Sequence, residues 1–359
     1  MLVPTGILFT RVWQENSNQR DRTELEQQGV EYLTALSPLI SALAEAQSTA
    51  LQGVSEPPDS LATAVAGVAA ADARLGEELQ TTPRWTGLQT KINNLSKATG
   101  PLAVYQAHVE ATDLTLALYA AVRRNSELNR DPNNAVSNLQ QAVAIDMPTT
   151  IVRVSRMGDL ANILQAVTGA DRVTIGTQFG YEVLAVQDLV DSLTENLQAA
   201  VDNTDSAALS GGLVSTLDSF RRGVESMVRG ANPGGNPQAA TISTAQSTLQ
   251  TALSSLSGVT LTEMKRLLDD RKSTLDYRRI EALILVVVVV VLVLLAVLWP
   301  VLQRRRNPEP AAPATPSGDP NRDVALNRPP GGYGNNPYDQ APGYGEVNPT
   351  RRERSGALR

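Results

Sequence analysis

Residues Ala282 to Leu302 read ALILVVVVVVLVLLAVLWPVL, an unbroken apolar run of about the 20 residues a helix needs to cross a hydrocarbon core roughly 30 Å thick. No other segment of the chain approaches it. Valine is a weak helix former in water. In lipid, however, every backbone polar group must be paired within the segment, so a lone apolar run of this length is expected to be helical. Trp299 stands where an interfacial anchor belongs, and Arg304, Arg305 and Arg306 follow within reach of headgroups. The alternative, a core helix buried on all sides, requires a protein thick enough to surround the whole run.

Beyond the run the composition changes. Residues 303–359 hold ten prolines and seven glycines with no apolar period, a makeup that cannot bury enough surface to offset chain entropy. This tail, from residue 304, is expected to be disordered. It carries nine arginines against six acids, a balance of +3, so the chain's −6 leaves −9 on residues 1–302. An acidic body without basic stripes argues against nucleic acid as a partner. Tyr333, Tyr338 and Tyr344 lie between prolines and glycines, which suits a docking segment for a partner's groove. Arg351, Arg352 and Arg354 could return to anionic lipid.

On the other side of the run, apolar residues recur at helical spacing. Leu25, Leu33, Leu36, Ile40 and Leu43 form one stripe that ends at Pro57-Pro58, where Asp59 or Ser60 can cap a second helix through Leu61, Val65, Val68, Leu75 and Leu79. A short helix with Trp85, Leu88, Ile92 and Leu95 closes at Gly100-Pro101. A longer stripe through Tyr105, Val109, Thr112, Leu116, Tyr119 and Val122 turns at Asp131-Pro132, and helices are expected on either side of Met147-Pro148. Residues 173–201 and 213–228 read as two more, and the glycine- and proline-rich stretch 230–237 reads as an interhelix loop. The last helix, from about Thr241, is expected to run on into the membrane. No strand-like alternation or repeat is seen.

The expected fold is therefore all-α: an elongated bundle of long helices over residues 14–280, a transmembrane helix at 281–303 and the tail at 304–359. Residues 1–13 look like the end of a first membrane helix, with Trp13 at the interface.

Chemistry is sparse. With 4% aromatic residues and no cysteine there is neither a disulfide framework nor a thiolate metal site, and no cofactor is implied. The single histidine, His108, lies within a helix. It serves neither as a kinase phosphoacceptor beside a nucleotide-binding domain nor in a triad with a nucleophile motif, and it reads as a polar helix-face residue. The four lysines follow Thr90, Ser96, Met264 and Arg271, so no phosphate-binding Gly-Lys loop exists. No catalytic residue is assigned and the chain is read as a non-enzyme. Arg123 and Arg124 near one helix end, and Arg153 and Arg156 on the next, could supply guanidinium forks for an organic anion. Helix C-termini also favour arginine through their dipole, which leaves a purely structural reading open. Asp131 could take a cation, or could simply turn the chain before Pro132.

Two stretches resemble the large all-helical sensor regions of bacterial chemoreceptors and related transmembrane signalling proteins. Gly29 to Leu39, GVEYLTALSPL, is similar to their opening helix. Asn125-Ser126-Glu127-Leu128-Asn129-Arg130-Asp131-Pro132 resembles their S-N-L-x-x-D-P turn, and Met147-Pro148 falls at the following L-P step. The resemblance spans residues 15–280 and implies a homodimeric extracytoplasmic sensor. Such proteins continue into a signalling helix or kinase after the span, whereas this chain has a tail, so a separate cytoplasmic signalling protein is expected to read the output. A count of basic flanks favours the opposite orientation, with Lys265, Arg266, Arg271, Lys272, Arg278 and Arg279 before the span. That rule weakens for long domains, and the uncompensated arginine triplet lies on the tail side. The bundle is therefore expected outside the cell membrane and the tail in the cytoplasm, with a non-sensing envelope scaffold as the alternative.

Overall fold

The structure is a computed structural model that describes residues 2–306 other than 55, 130, 205–206 and 233–235; the side chains of residues 2–5, 7–8, 207–210, 214–215 and 300–306 are not described. The tail from 307, the centre of the 230–237 loop and the side chains of Arg304, Arg305 and Arg306 thus lie outside the described residues.

Every regular element among the described residues is helical. α1 (Leu2–Leu51) runs unbroken through the N-terminal segment and past Pro38. Its stripe buries Leu33, Leu36, Ile40 and Leu43 completely, each worth about 1.5–3 kcal/mol when removed from water. The chain then breaks at Pro57-Pro58 before α2 (Asp59–Leu75). Neither expected side chain caps that helix. Pro58 flanks it, Asp59 sits in its first turn facing the positive end of the dipole, and the Ser60 hydroxyl donates to Glu45 on α1 at 2.8 Å. α3 (Thr82–Asn93) follows, then α4 (Pro101–Asn125), which starts where Gly100 takes φ +83° and Pro101 supplies a preset first helical residue.

α5 (Asn134–Gln141) is capped by the Asn133 side chain, which accepts from the Val136 N–H. It joins α6 (Met147–Ala166) through a single wide turn at Ala142–Asp146. Pro148 explains that turn: it has no N–H to return to residue 144, so the ladder loosens just ahead of it. α7 (Gly169–Asp202), α8 (Ala207–Ala231) and α9 (Ala239–Arg306) complete the chain.

α1 lies at the centre, packed on α2, α4 and α6, while α6 also packs on α7. α1 and α9 run antiparallel, as side-chain contacts between them show. Asn16 donates to the Leu275 carbonyl, Arg20 pairs with Asp276 at 3.0 Å, Gln27 donates to Asp269, and the hydroxyls of Ser37 and Ser257 meet at 2.8 Å. Toward its other end, α9 contains an apolar stretch long enough to cross a membrane, with mean hydropathy 3.5 over its most apolar window. That stretch is uncovered: Val287 and Leu292 are each 60% exposed. The buried-core alternative therefore does not hold among the described residues. The chain divides into two compact units, residues 1–296 and 297–359, and the bundle belongs to the first.

Candidate functional site: an ionic latch at the D-P turn

Asp131 ends the turn after α4, and its carboxylate faces Arg271 of α9 squarely. Nη2 donates to Oδ1 at 2.8 Å, and Nη1 lies 2.7 Å from Oδ2. The pair is thus one charge-assisted hydrogen bond with a close ion-pair contact beside it, and Oδ2 itself is buried without a hydrogen-bond partner. Oδ1 also accepts from the Asn133 N–H at 2.7 Å, so one side chain turns the chain and fastens it to α9. The same Nη1 of Arg271 donates to Glu26 of α1 at 3.1 Å, and Glu26 in turn accepts from Arg22 at 3.3 Å. Arg22 also lies 3.4 Å from Glu127 of the turn.

Three elements thus meet in one cluster: α1, the turn after α4, and α9. The Glu26 side chain is fully buried. Burial first, and then the negative charge of Asp131, push its carboxyl up to about 7, against the opposing pull of Arg271 and Arg22. Among the described residues Asp131, Glu26 and Glu127 face Arg271 and Arg22, and Glu26 is the member whose carboxyl is raised. Arg271 stands eleven positions before Ala282, which at 1.5 Å per residue is about 16 Å along α9 from the apolar run.

The two stretches that carried the family resemblance touch each other. Gly29 of α1 sits flat against the turn, so close that a Cβ there would fall 2.2 Å from Ser126 Oγ and 2.8 Å from Leu128 Cδ1. Ser126 and Leu128 are fully buried, Asn125 donates to the Leu79 carbonyl at 2.7 Å, and Pro132 is exposed. Glu127 reaches φ +58°, a left-handed conformation uncommon for a residue with a side chain.

The four arginines read as anion ligands are not brought to one point. Arg123 donates to Gln141 at 3.3 Å near Asp146, and burial lowers its pKa; Arg124 is exposed. Arg156 reaches Val109, Thr112 and Asp113, ten or more positions earlier on α4 and so about 15 Å or more from Arg123. Arg153 pairs with Glu182 of α7 at 2.8 Å and lies over the Tyr181 ring at 5.5 Å. Arg153 and Arg156 do share a neighbourhood with Tyr105, whose hydroxyl is raised by burial and then by Glu182. A cleft of about 710 Å³ between α4 and α7 opens over this group, past Tyr105, Gln178 and Tyr181. Both guanidinium groups already meet carboxylates, so an anion would have to displace one. Trp299 is exposed.

Sequence reasoning missed Glu26 and Arg271. A signal for each was present, because Glu26 falls seven positions before Leu33 and Arg271 lies between Leu268 and Leu275, so both charges interrupt an apolar stripe. His108 is buried at 3% exposure rather than standing on an open helix face. Among the described residues no group of His, Asp and Glu is arranged to hold a metal ion. Comparison with known protein families, with characterised proteins and with solved structures gives no match.

Proposed function

We propose that this chain is a membrane-anchored sensor whose extracytoplasmic bundle detects a small molecule or an envelope state and passes helix displacement through α9 to a separate cytoplasmic protein. The observation that carries the reading is the latch. It ties the centre of the bundle to α9 about 16 Å before the apolar run, through a charged cluster in which burial and Asp131 raise the Glu26 carboxyl to about 7. A cluster near balance is a suitable two-state element, since shifts of about 1–2 Å between packed helices are enough for a switch. The resemblance of Gly29–Leu39 and Asn125–Pro132 to chemoreceptor-type sensor regions supports it, because those stretches pack together at the latch. In this reading the protein is a homodimer in the cell membrane, with the arginine-bearing tail in the cytoplasm as the docking segment.

A screen of the full-length protein in lipid nanodiscs tests the proposal. Thermal shift is measured against organic acids, amino acids, amines and neutral small molecules. Saturable stabilisation by one class, abolished by a substitution in the cavity that binds it, is the expected result. A chain that no class stabilises favours the scaffold, and small-molecule sensing falls.

A further inference from the structure

At the end of α1 away from the latch, a cavity of about 490 Å³ lies between α1, α2, α3 and the start of α4. This is within the range of small-molecule pockets, which run from about 300 to 1,000 Å³. Its wall is apolar where it is deepest: Ala46, Leu61, Ile92 and Leu95 are each at most 8% exposed. One polar side chain joins that deep wall. His108 is 3% exposed, and its Nδ1 is shut from solvent with no hydrogen-bond partner. Desolvation alone lowers its pKa to about 4, so the imidazole is neutral across the physiological range. A buried ring nitrogen without a partner is costly in a finished core, whereas in a binding site it is the group that awaits a ligand.

We propose that this cavity binds an uncharged, mainly apolar small molecule bearing one hydroxyl group, which hydrogen-bonds to His108. Anions are disfavoured because no basic side chain lines the cavity, while Glu56 and Asp59 stand exposed at its rim. A cation would be drawn to that rim but would meet only a neutral imidazole and hydrocarbon inside. A hydroxyl suits neutral imidazole in either tautomer, since it can donate to one ring nitrogen or accept from its N–H. The cavity gives the sensor reading a ligand class and rests on that reading for its meaning in the cell. Binding itself is measured independently, so binding without any cellular response sinks the sensor and leaves the site standing.

His108 is the sole histidine, so isotope-labelled histidine gives one imidazole signal in the full-length, tag-free protein in nanodiscs. Three probes of similar size are titrated: p-cresol, toluene and benzoate. Saturable movement of the His108 signal with p-cresol is expected, with weaker binding of toluene and none of benzoate. His108→Phe keeps a ring in place and weakens p-cresol roughly fivefold to tenfold, toward the toluene value. If the His108 signal does not move with p-cresol up to its solubility limit, the proposal is overturned, whatever the variant's folding. Benzoate binding as tightly as p-cresol, or unchanged p-cresol affinity in a folded His108→Phe, overturns it equally.

Discussion

Glu26 has one acidic and two basic neighbours pulling in opposite directions, and burial decides between them. Its carboxyl titrates near 7 in the bundle against 4.5 in an unfolded chain. Between those values the folded state holds a proton that the unfolded state has lost, so stability contributed at this position falls as pH rises from about 4.5 to 7 and levels off above. The loss is of order 3 kcal/mol at 1.36 kcal/mol per unit. Glu26→Gln keeps the shape without the titration. Its melting temperature is expected to match or exceed the wild type at pH 8, and to lose the wild type's gain at pH 5. Arg271→Met acts in the other direction, because it strands Asp131 and Glu26 without their shared cation. A loss of about 3–5 kcal/mol in urea unfolding at pH 8 is expected, with part of it recovered at pH 5, where Glu26 is neutral. Asp159, held by burial near 8, is neutral at pH 7 and supplies a hydrogen-bonding group rather than a charge.

At the scale of elements, the contact between α1 and the turn after α4 depends on the missing side chain at Gly29. Gly29→Ala forces a methyl group to within 2.2 Å of Ser126 Oγ and is expected to cost about 1–3 kcal/mol by overpacking. Ser126→Gly should restore much of that loss in the double variant, and a thermal-denaturation cycle over the four proteins measures the coupling. The elements themselves were legible from the sequence. The spacing of Leu33, Leu36, Ile40 and Leu43 puts them on one helical face, and all four are buried. Periodicity tells which face turns inward, however, and not which residue it will meet. Glu26, Asp131 and Arg271 are more than a hundred positions apart along the chain, and nothing local announces that they converge. The arginines show the same limit. Their number near helix ends was visible, but the carboxylates that neutralise Arg153 and Arg156 come from α7 and α4, and only the packed bundle brings them together. The wide turn before Pro148 was hidden for a related reason, since proline marks where a ladder must break but not how the helix recovers.

Across the whole molecule, the folded bundle and the tail proposed to carry its output can be tested apart. Deleting Arg304 to Arg359 removes the proposed docking tail and leaves every core residue among the described ones in place, so the truncated protein should melt at the wild-type temperature in nanodiscs while losing its response in cells. A response of wild-type size from the truncated chain would place the output elsewhere. If α9 moves against α1 to carry a signal, fastening the two helices must stop it, and a chain without cysteine allows a single engineered bridge. Ser37 and Ser257 bring their hydroxyls to 2.8 Å across the two helices, close enough for cysteines there to form a disulfide. The decisive measurement is the transcript profile of cells carrying Ser37→Cys/Ser257→Cys, taken oxidised and after reduction and compared with wild-type and deletion strains. The locked protein is expected to depart from wild type as far as the deletion does, and reduction to restore the wild-type profile. A locked protein indistinguishable from wild type, in cells where the deletion is distinguishable, would show that α9 transmits nothing and that the bundle is a scaffold.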